Sequence, residues 1–158
     1  MRYTSSATDL ILAAGRYARG LGHSYVGSIH FLLALVEDPG LPGQLLRQCG
    51  VEAEMLRQMT RVLYGSGTPD MPLPQGLTGQ AKRILRGSSG EAELLGEREV
   101  RPIHILLALT RREKAASGLL LNLSGVDPDT LFTSAIEALQ WETVITTRRK
   151  KEAATTKL

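Results

Sequence analysis

Gly22–Leu35 reads GHSYVGSIHFLLAL, and Gly96–Leu109 reads GEREVRPIHILLAL. The same Ile-His-x-Leu-Leu-Ala-Leu string stands twice, 74 positions apart. Shifting the chain by that distance and comparing residues 4–35 with 78–109 extends the match. Thr4/Thr78, Ala7/Ala81, Ala18/Ala92, Leu21/Leu95, Gly22/Gly96 and Val26/Val100 are identical. So are Ile29/Ile103, His30/His104, Leu32/Leu106, Leu33/Leu107, Ala34/Ala108 and Leu35/Leu109. These are 12 pairs in 32 positions, where about two or three would arise by chance at ordinary residue frequencies. A shift of 75 then pairs Gly43/Gly118, Leu45/Leu120, Leu46/Leu121, Gly50/Gly125, Val51/Val126 and Leu56/Leu131. The chain is a duplication, with repeat one at 1–65, repeat two at 77–141 and a Gly- and Pro-rich linker at 66–76 that reads as an exposed connection.

Each repeat reads as four helices. Ala7, Leu10, Ile11, Ala14, Ala18 and Leu21 form one apolar stripe at helical spacing, matched by Ala81, Ile84, Leu85, Ser88, Ala92 and Leu95. Thr4 and Thr78 stand where N-caps belong, and Gly22 and Gly96 where helices stop. The quoted strings are apolar on all sides, so each predicts a helix in the middle of a bundle. Ser28 and Pro102 are suited to open these helices as N-cap and first-turn proline. Third helices are predicted at about 42–49 and 115–124, fourth helices at about 52–64 and 128–141, the last opened by Asp127-Pro128. Gly87–Gly90 (GSSG) falls inside the fifth helix and predicts a weak stretch of it, since each glycine costs about 1 kcal/mol there. No segment alternates with the period of a strand. The fold class is all-α: two tandem four-helix repeats, eight helices, packed about a pseudo-two-fold axis.

Composition narrows the function classes. Hydrophobic residues make up 42% of the 158-residue chain but aromatics only 4%, so an aliphatic core is expected. No apolar run reaches the roughly 18 residues of a membrane span, and the N-terminus lacks a signal-peptide profile. A lone Cys49 permits no internal disulfide and reads as a small buried hydrophobe. A cytoplasmic location is expected. Arg148, Arg149, Lys150, Lys151 and Lys157 against Glu142 and Glu152 account for the entire net charge of +3. The basic character therefore belongs to residues 144–158, expected to be a disordered tail, and not to a face of the domain. His23, His30 and His104 sit near no Cys or carboxylate at metal-ligand spacing. His30 and His104 read as core histidines satisfied by the neighbouring repeat or loop. No nucleophile elbow or Cys/His pair is present, so no catalytic residue, metal or cofactor is assigned.

The combination Leu21-Gly22-His23, Tyr25, Gly27, His30, Leu32-Leu33, then Leu45-Leu46 and Gly50-Val51, resembles the Clp N-terminal domain. That double-repeat module precedes the ATPase rings of ClpA and ClpC unfoldases. Leu77-Thr78-Gly79-Gln80-Ala81-Lys82 resembles the opening of the family's second repeat. The resemblance covers about 1–141 and implies a non-catalytic module that docks proteins or peptides, as an adaptor, decoy or competitor in a Clp-type protease system. Its implied partners are a Clp unfoldase, its adaptors or substrates, bound by a monomer without membrane contact. The G-x-x-x-x-G-K-[ST] loop of an unfoldase is absent from the sequence, so the chain reads as a stand-alone copy.

Helix starts attract anions, and Lys82 lies one turn inside the fifth helix. A ligand groove where the first and fifth helices approach would use Tyr3, Thr4, Ser5, Thr78, Gly79 and Lys82, with Ile11, Leu77 and Leu85 as its apolar floor. In ClpC-type domains a glutamate before the central histidine holds the guanidinium of phosphorylated arginine. Ile29 and Ile103 stand at those positions, which implies that phosphoarginine recognition is weakened. The alternative function is a regulatory nucleic-acid binder using the basic C-terminal residues.

Overall fold

The computed structural model describes residues 1–67 and 74–156. The middle of the expected linker lies outside the described residues. Eight helices are present among them: α1 (Ser5–Gly20), α2 (Ser28–Val36), α3 (Leu41–Gln48), α4 (Ala53–Tyr64), α5 (Gly79–Leu94), α6 (Pro102–Thr110), α7 (Ala116–Leu123) and α8 (Pro128–Thr156). The helices predicted for each repeat are all found.

Local chemistry sets the helix ends. The Thr4 and Thr78 hydroxyls accept from the amides of Ala7 and Ala81, both at 3.1 Å. Gly22 and Gly96 take φ of 70° and 71°, the left-handed region that ends α1 and α5. The Asp127 carboxylate accepts from the Thr130 amide at 3.1 Å, capping α8. Ser28 does not cap α2. Gly27 holds that place, and Ser28 lies one residue inside, buried, its Oγ accepting from the Ser117 amide at 3.2 Å.

The central helices α2 and α6 are buried along their whole length and pack against each other. Contacts between repeats come in reciprocal pairs: α1 on α6 and α5 on α2, α2 on α7 and α6 on α3, α3 on α8 and α7 on α4. This reciprocity is the signature of a pseudo-two-fold axis running between α2 and α6.

No strand was expected, yet a two-residue parallel pair joins β1 (Arg2–Tyr3) to β2 (Glu99–Val100). Its counterpart is a bridge between Leu77 and Val26. Tyr3 corresponds to Leu77 and Val26 to Val100 under the repeat shift. Each repeat therefore clasps, just before its first helix, the segment leading into the other's central helix. The Thr4 amide donates to Val100 O at 3.0 Å and the Thr78 amide to Val26 O at 2.9 Å. Two residues are too few to show alternation in sequence.

Two further expectations are corrected. Of the tail expected at 144–158, residues 144–156 continue α8 as helix, which runs 29 residues without a break, and 157–158 lie outside the described residues. No proline or glycine follows Pro128, and Ala, Glu, Lys and Arg favour helix. Arg148 and Glu152 also pair at i,i+4 spacing, 3.3 Å apart. Cys49 is exposed, because it caps the C-terminus of α3 where that helix leaves the core. Gly87–Gly90 lies inside α5, as expected. A Cβ on Gly87 would stand 3.3 Å from the Ala108 Cβ, so the glycine lets α5 and α6 approach closely. Buried Ser88 returns its hydroxyl to Ile84 O at 2.7 Å.

Ser117 Oγ is buried with no hydrogen-bond partner among the described residues. Ser117→Ala removes an unsatisfied hydroxyl and keeps the amide bond to Ser28. It is expected to be neutral or to stabilise by up to about 1 kcal/mol, read by thermal denaturation.

Candidate functional site

The two histidines of the repeated motif are buried, at 2% and 0% exposure. In each repeat the Nδ1 accepts the amide that opens the central helix, Gly27 N–H for His30 and Arg101 N–H for His104, both at 2.8 Å. That fixes the proton on Nε2. The Nε2 partners are themselves repeat-equivalent but different. His30 donates to His23 Nδ1 at 2.8 Å, and His23 Nε2 donates to Gly65 O at 2.8 Å. His104 instead meets Glu97 at 2.6 Å. Burial, then the neighbouring His23, pushes the His30 pKa down to about 4. Both histidines are satisfied by the loop of their own repeat, not by the neighbouring repeat.

Glu97 extends the second network outward. Burial alone would raise its pKa, but Arg101 and His104 hold it below the ordinary value. Arg101 donates from Nε to Glu97 at 2.8 Å and from a terminal nitrogen to Glu142 of α8 at 3.0 Å. Burial works against that guanidinium charge, and the two carboxylates outweigh it.

The Arg101–Glu142 pair closes one side of a groove of about 350 Å³ between the repeats. Thr4, the N-cap of α1, and Ser6 line it together with Leu41, Pro42 and Ile103. This groove follows from the crossed clasp, which brings the start of α1 against the start of α6. At the symmetric place Thr78 lies against Gly27, where an added Cβ would stand 3.5 Å from the Thr78 methyl. The sequence-predicted residues thus divide. Thr4 joins Ile103 in the groove, and Ile103 is almost fully buried at 2% exposure. Tyr3 reaches across to α5, its hydroxyl donating to Leu85 O at 3.4 Å. Ile11, Leu77 and Leu85 are half-buried and packed on the core. Ser5, Gly79 and Lys82 are exposed on the first turns of α1 and α5. Ile29 is buried next to His30. Ser6, Leu41, Pro42, Arg101 and Glu142 were not singled out from sequence. Only the crossed pairing of Tyr3 with Val100 would have pointed to them.

Among the described residues no helix is long and apolar enough to cross a membrane, and no cluster of His, Cys, Asp or Glu is placed to hold a metal.

The comparisons with known proteins agree with this architecture. The chain is 32% identical over 136 residues to the chloroplastic chaperone protein ClpC1 of Oryza sativa subsp. japonica. That alignment covers 85% of this chain but only 15% of the relative's length. The N-terminal domain of the caseinolytic protease associated chaperone ClpD of Arabidopsis thaliana superposes with a TM-score of 0.72. It shares 21% identity, with 88% of this chain and 95% of that one covered. A ClpV N-domain solved in complex with a VipB peptide has the same fold, with a TM-score of 0.63, 19% identity and 82% of each chain covered. The model of the Clp repeat (R) N-terminal domain matches residues 2–124, and the chain belongs to that family.

Proposed function

We propose that this chain docks protein or peptide segments for a Clp-type unfolding or proteolysis system, as an adaptor, decoy or competitor, and catalyses nothing itself. Family membership supports the reading, as does the peptide bound to the related ClpV N-domain. The observation that carries it is the inter-repeat groove, where an apolar floor of Leu41, Pro42 and Ile103 meets the polar start of α1. Such a mixture suits a polypeptide, which offers both side chains and backbone. The test adds the chain in trans to a Clp unfoldase and peptidase degrading an unfolded model protein. Degradation is expected to change saturably with the amount added, and Ser6→Arg, an exposed change at the groove, is expected to blunt the effect. An unchanged rate at tenfold excess over the unfoldase would contradict the reading.

The nucleic-acid reading has less support. Arg148–Lys151 are consecutive on a helix, so at 100° steps they spread around its axis and build no single basic face. DNA binding that weakens steeply with salt and disappears on deleting residues 144–158 would favour it.

Ile29 and Ile103 also shape ligand choice. A charge-assisted hydrogen bond contributes roughly 1.5–3 kcal/mol, so lacking a carboxylate at each position costs about one to two decades of phosphoarginine affinity. Titration calorimetry is expected to show weak binding of free phosphoarginine. Ile29→Glu with Ile103→Glu is expected to strengthen it in the fraction that folds, because both side chains are buried and two carboxylates will destabilise the domain. Low-micromolar binding by the unaltered chain would show that another residue supplies the counter-charge.

A further inference from the structure

A second cleft, of about 660 Å³, lies in repeat one between α1, the end of α2 and α4. It adjoins the inter-repeat groove through Ser6, Asp38 and Pro39, which border both. We propose that this cleft is a separate docking site for short extended peptides of the pattern basic–x–apolar–x–acidic. The proposal rests on the reading that the module binds peptides, and it names a class of ligand.

The cleft is electrically bipolar. Asp9 and Arg16 both line it from α1, seven residues and so about 10 Å apart along the helix. Asp38 adds a second carboxylate on the side shared with the groove, and Arg61 of α4 adds a second guanidinium. Asp9, Arg16 and Arg61 form no ion pair among the described residues.

The other charges in the wall are already used. The Tyr17 hydroxyl donates to Glu37, Arg57 donates to the same carboxylate, and the Arg57 guanidinium lies 5.7 Å from the Tyr17 ring centroid. Arg57 also pairs with Glu54 at 3.0 Å. This network leaves Asp9, Arg16 and Arg61 for a ligand, whereas Asp38 already accepts from the Gly40 amide at 2.9 Å. Leu10, Ala13 and Ala34 supply an apolar stretch along the cleft.

Repeat two has not kept the pattern. Arg83, Gly90 and Ile136 stand where repeat one has Asp9, Arg16 and Arg61. Phe132 replaces Arg57, and Arg111, bonded to Glu91, lies 4.4 Å from the Phe132 ring centroid. The same helices pack in both repeats, so the fold does not require the bipolar arrangement.

An extended peptide presents residues i, i+2 and i+4 on one face, its ends about 13 Å apart. Flexible Lys and Glu side chains span the small difference from the 10 Å spacing of the cleft charges. The middle residue then faces the apolar stretch.

The test uses the full chain and the peptide acetyl-Gly-Lys-Ala-Leu-Ala-Glu-Gly-amide at low salt, followed by amide chemical shifts and by affinity. Shifts are expected along Asp9–Tyr17 and Arg57–Arg61. Versions with two lysines or two glutamates are expected to bind about tenfold more weakly. Asp9→Lys should make the two-glutamate peptide the preferred ligand, and Arg16→Glu the two-lysine peptide. Both positions are exposed, and circular dichroism confirms that the variants fold. Shifts centred on Thr4 and Ile103, no shifts at millimolar peptide, or an unaltered ranking in both variants would overturn the cleft proposal. The degradation experiment reads the general docking function independently, so failure here is distinguishable from failure there.

Discussion

Alanine at Gly43 or at Gly118 is expected to destabilise the domain by about 3 kcal/mol each, the upper range for overpacking. A Cβ at Gly43 would stand 1.9 Å from Asp38 O, and one at Gly118 would stand 2.1 Å from Glu113 O. These are backbone oxygens, which no rotamer change can move. The glycines are repeat-equivalent, and each lets a third helix lie against the turn leading into it. Arg47 tightens the first turn by donating to Val36 O at 2.6 Å and Asp38 O at 3.1 Å. Relief of the clash would pull Leu45 and Leu46 out of the core and shift Asp38–Pro42, which border the inter-repeat groove. The midpoint of thermal unfolding should fall by about 6–12 °C for each substitution. Gly15 provides the control of opposite sign. It lies inside α1 with nothing within 4 Å of an added Cβ, so Gly15→Ala should stabilise by about 0.5–1 kcal/mol. A Gly43→Ala midpoint within 2 °C of the unaltered chain would show that the turn is not held as described.

Acidification is the second large effect. His30 is neutral in the fold, with its pKa lowered from 6.5 to about 4. Between these values the unfolded chain binds the proton and the folded chain does not, so stability falls as pH falls. The full contribution is present above pH 6.5, and roughly 3 kcal/mol is lost by pH 4. Protonation would also break the relay, because Nδ1 could no longer accept from Gly27 N–H. His30→Asn keeps an acceptor for that amide and removes the titrating group. Urea midpoints at pH 7.5 and 4.5 should therefore differ much more for the unaltered chain than for the variant. Equal differences would refute the assignment.

Much of the fold is legible in the sequence because duplication states each signal twice. Thr4 and Thr78 announce two helix starts, Gly22 and Gly96 two stops, and the two Ile-His strings two buried helices. What stays hidden depends on pairing between the repeats or on one repeat departing from the other. The clasp of Tyr3 with Val100 is invisible because two residues carry no period. The groove joins Thr4 to Ile103 and Arg101, nearly 100 positions away. His23 and Glu97 take the same place beside their histidines with different chemistry, and only the geometry shows that each satisfies an Nε2. The full length of α8 is hidden because its basic run reads first as charge, although nothing in it breaks a helix. Thr4 is legible as a helix start and Ile103 as part of the repeated motif, but the groove expected between α1 and α5 gives no sign that the two meet between the starts of α1 and α6.

Docking of polypeptide in the groove built from both repeats is read by an amide chemical-shift titration of the full chain with an unfolded model protein, and in parallel with duplex DNA. Saturable shifts are expected around Thr4, Leu41, Arg101 and Ile103 with the polypeptide and none there with DNA. No shifts in the groove, together with salt-sensitive shifts along Arg148–Lys151 on adding DNA, would contradict it.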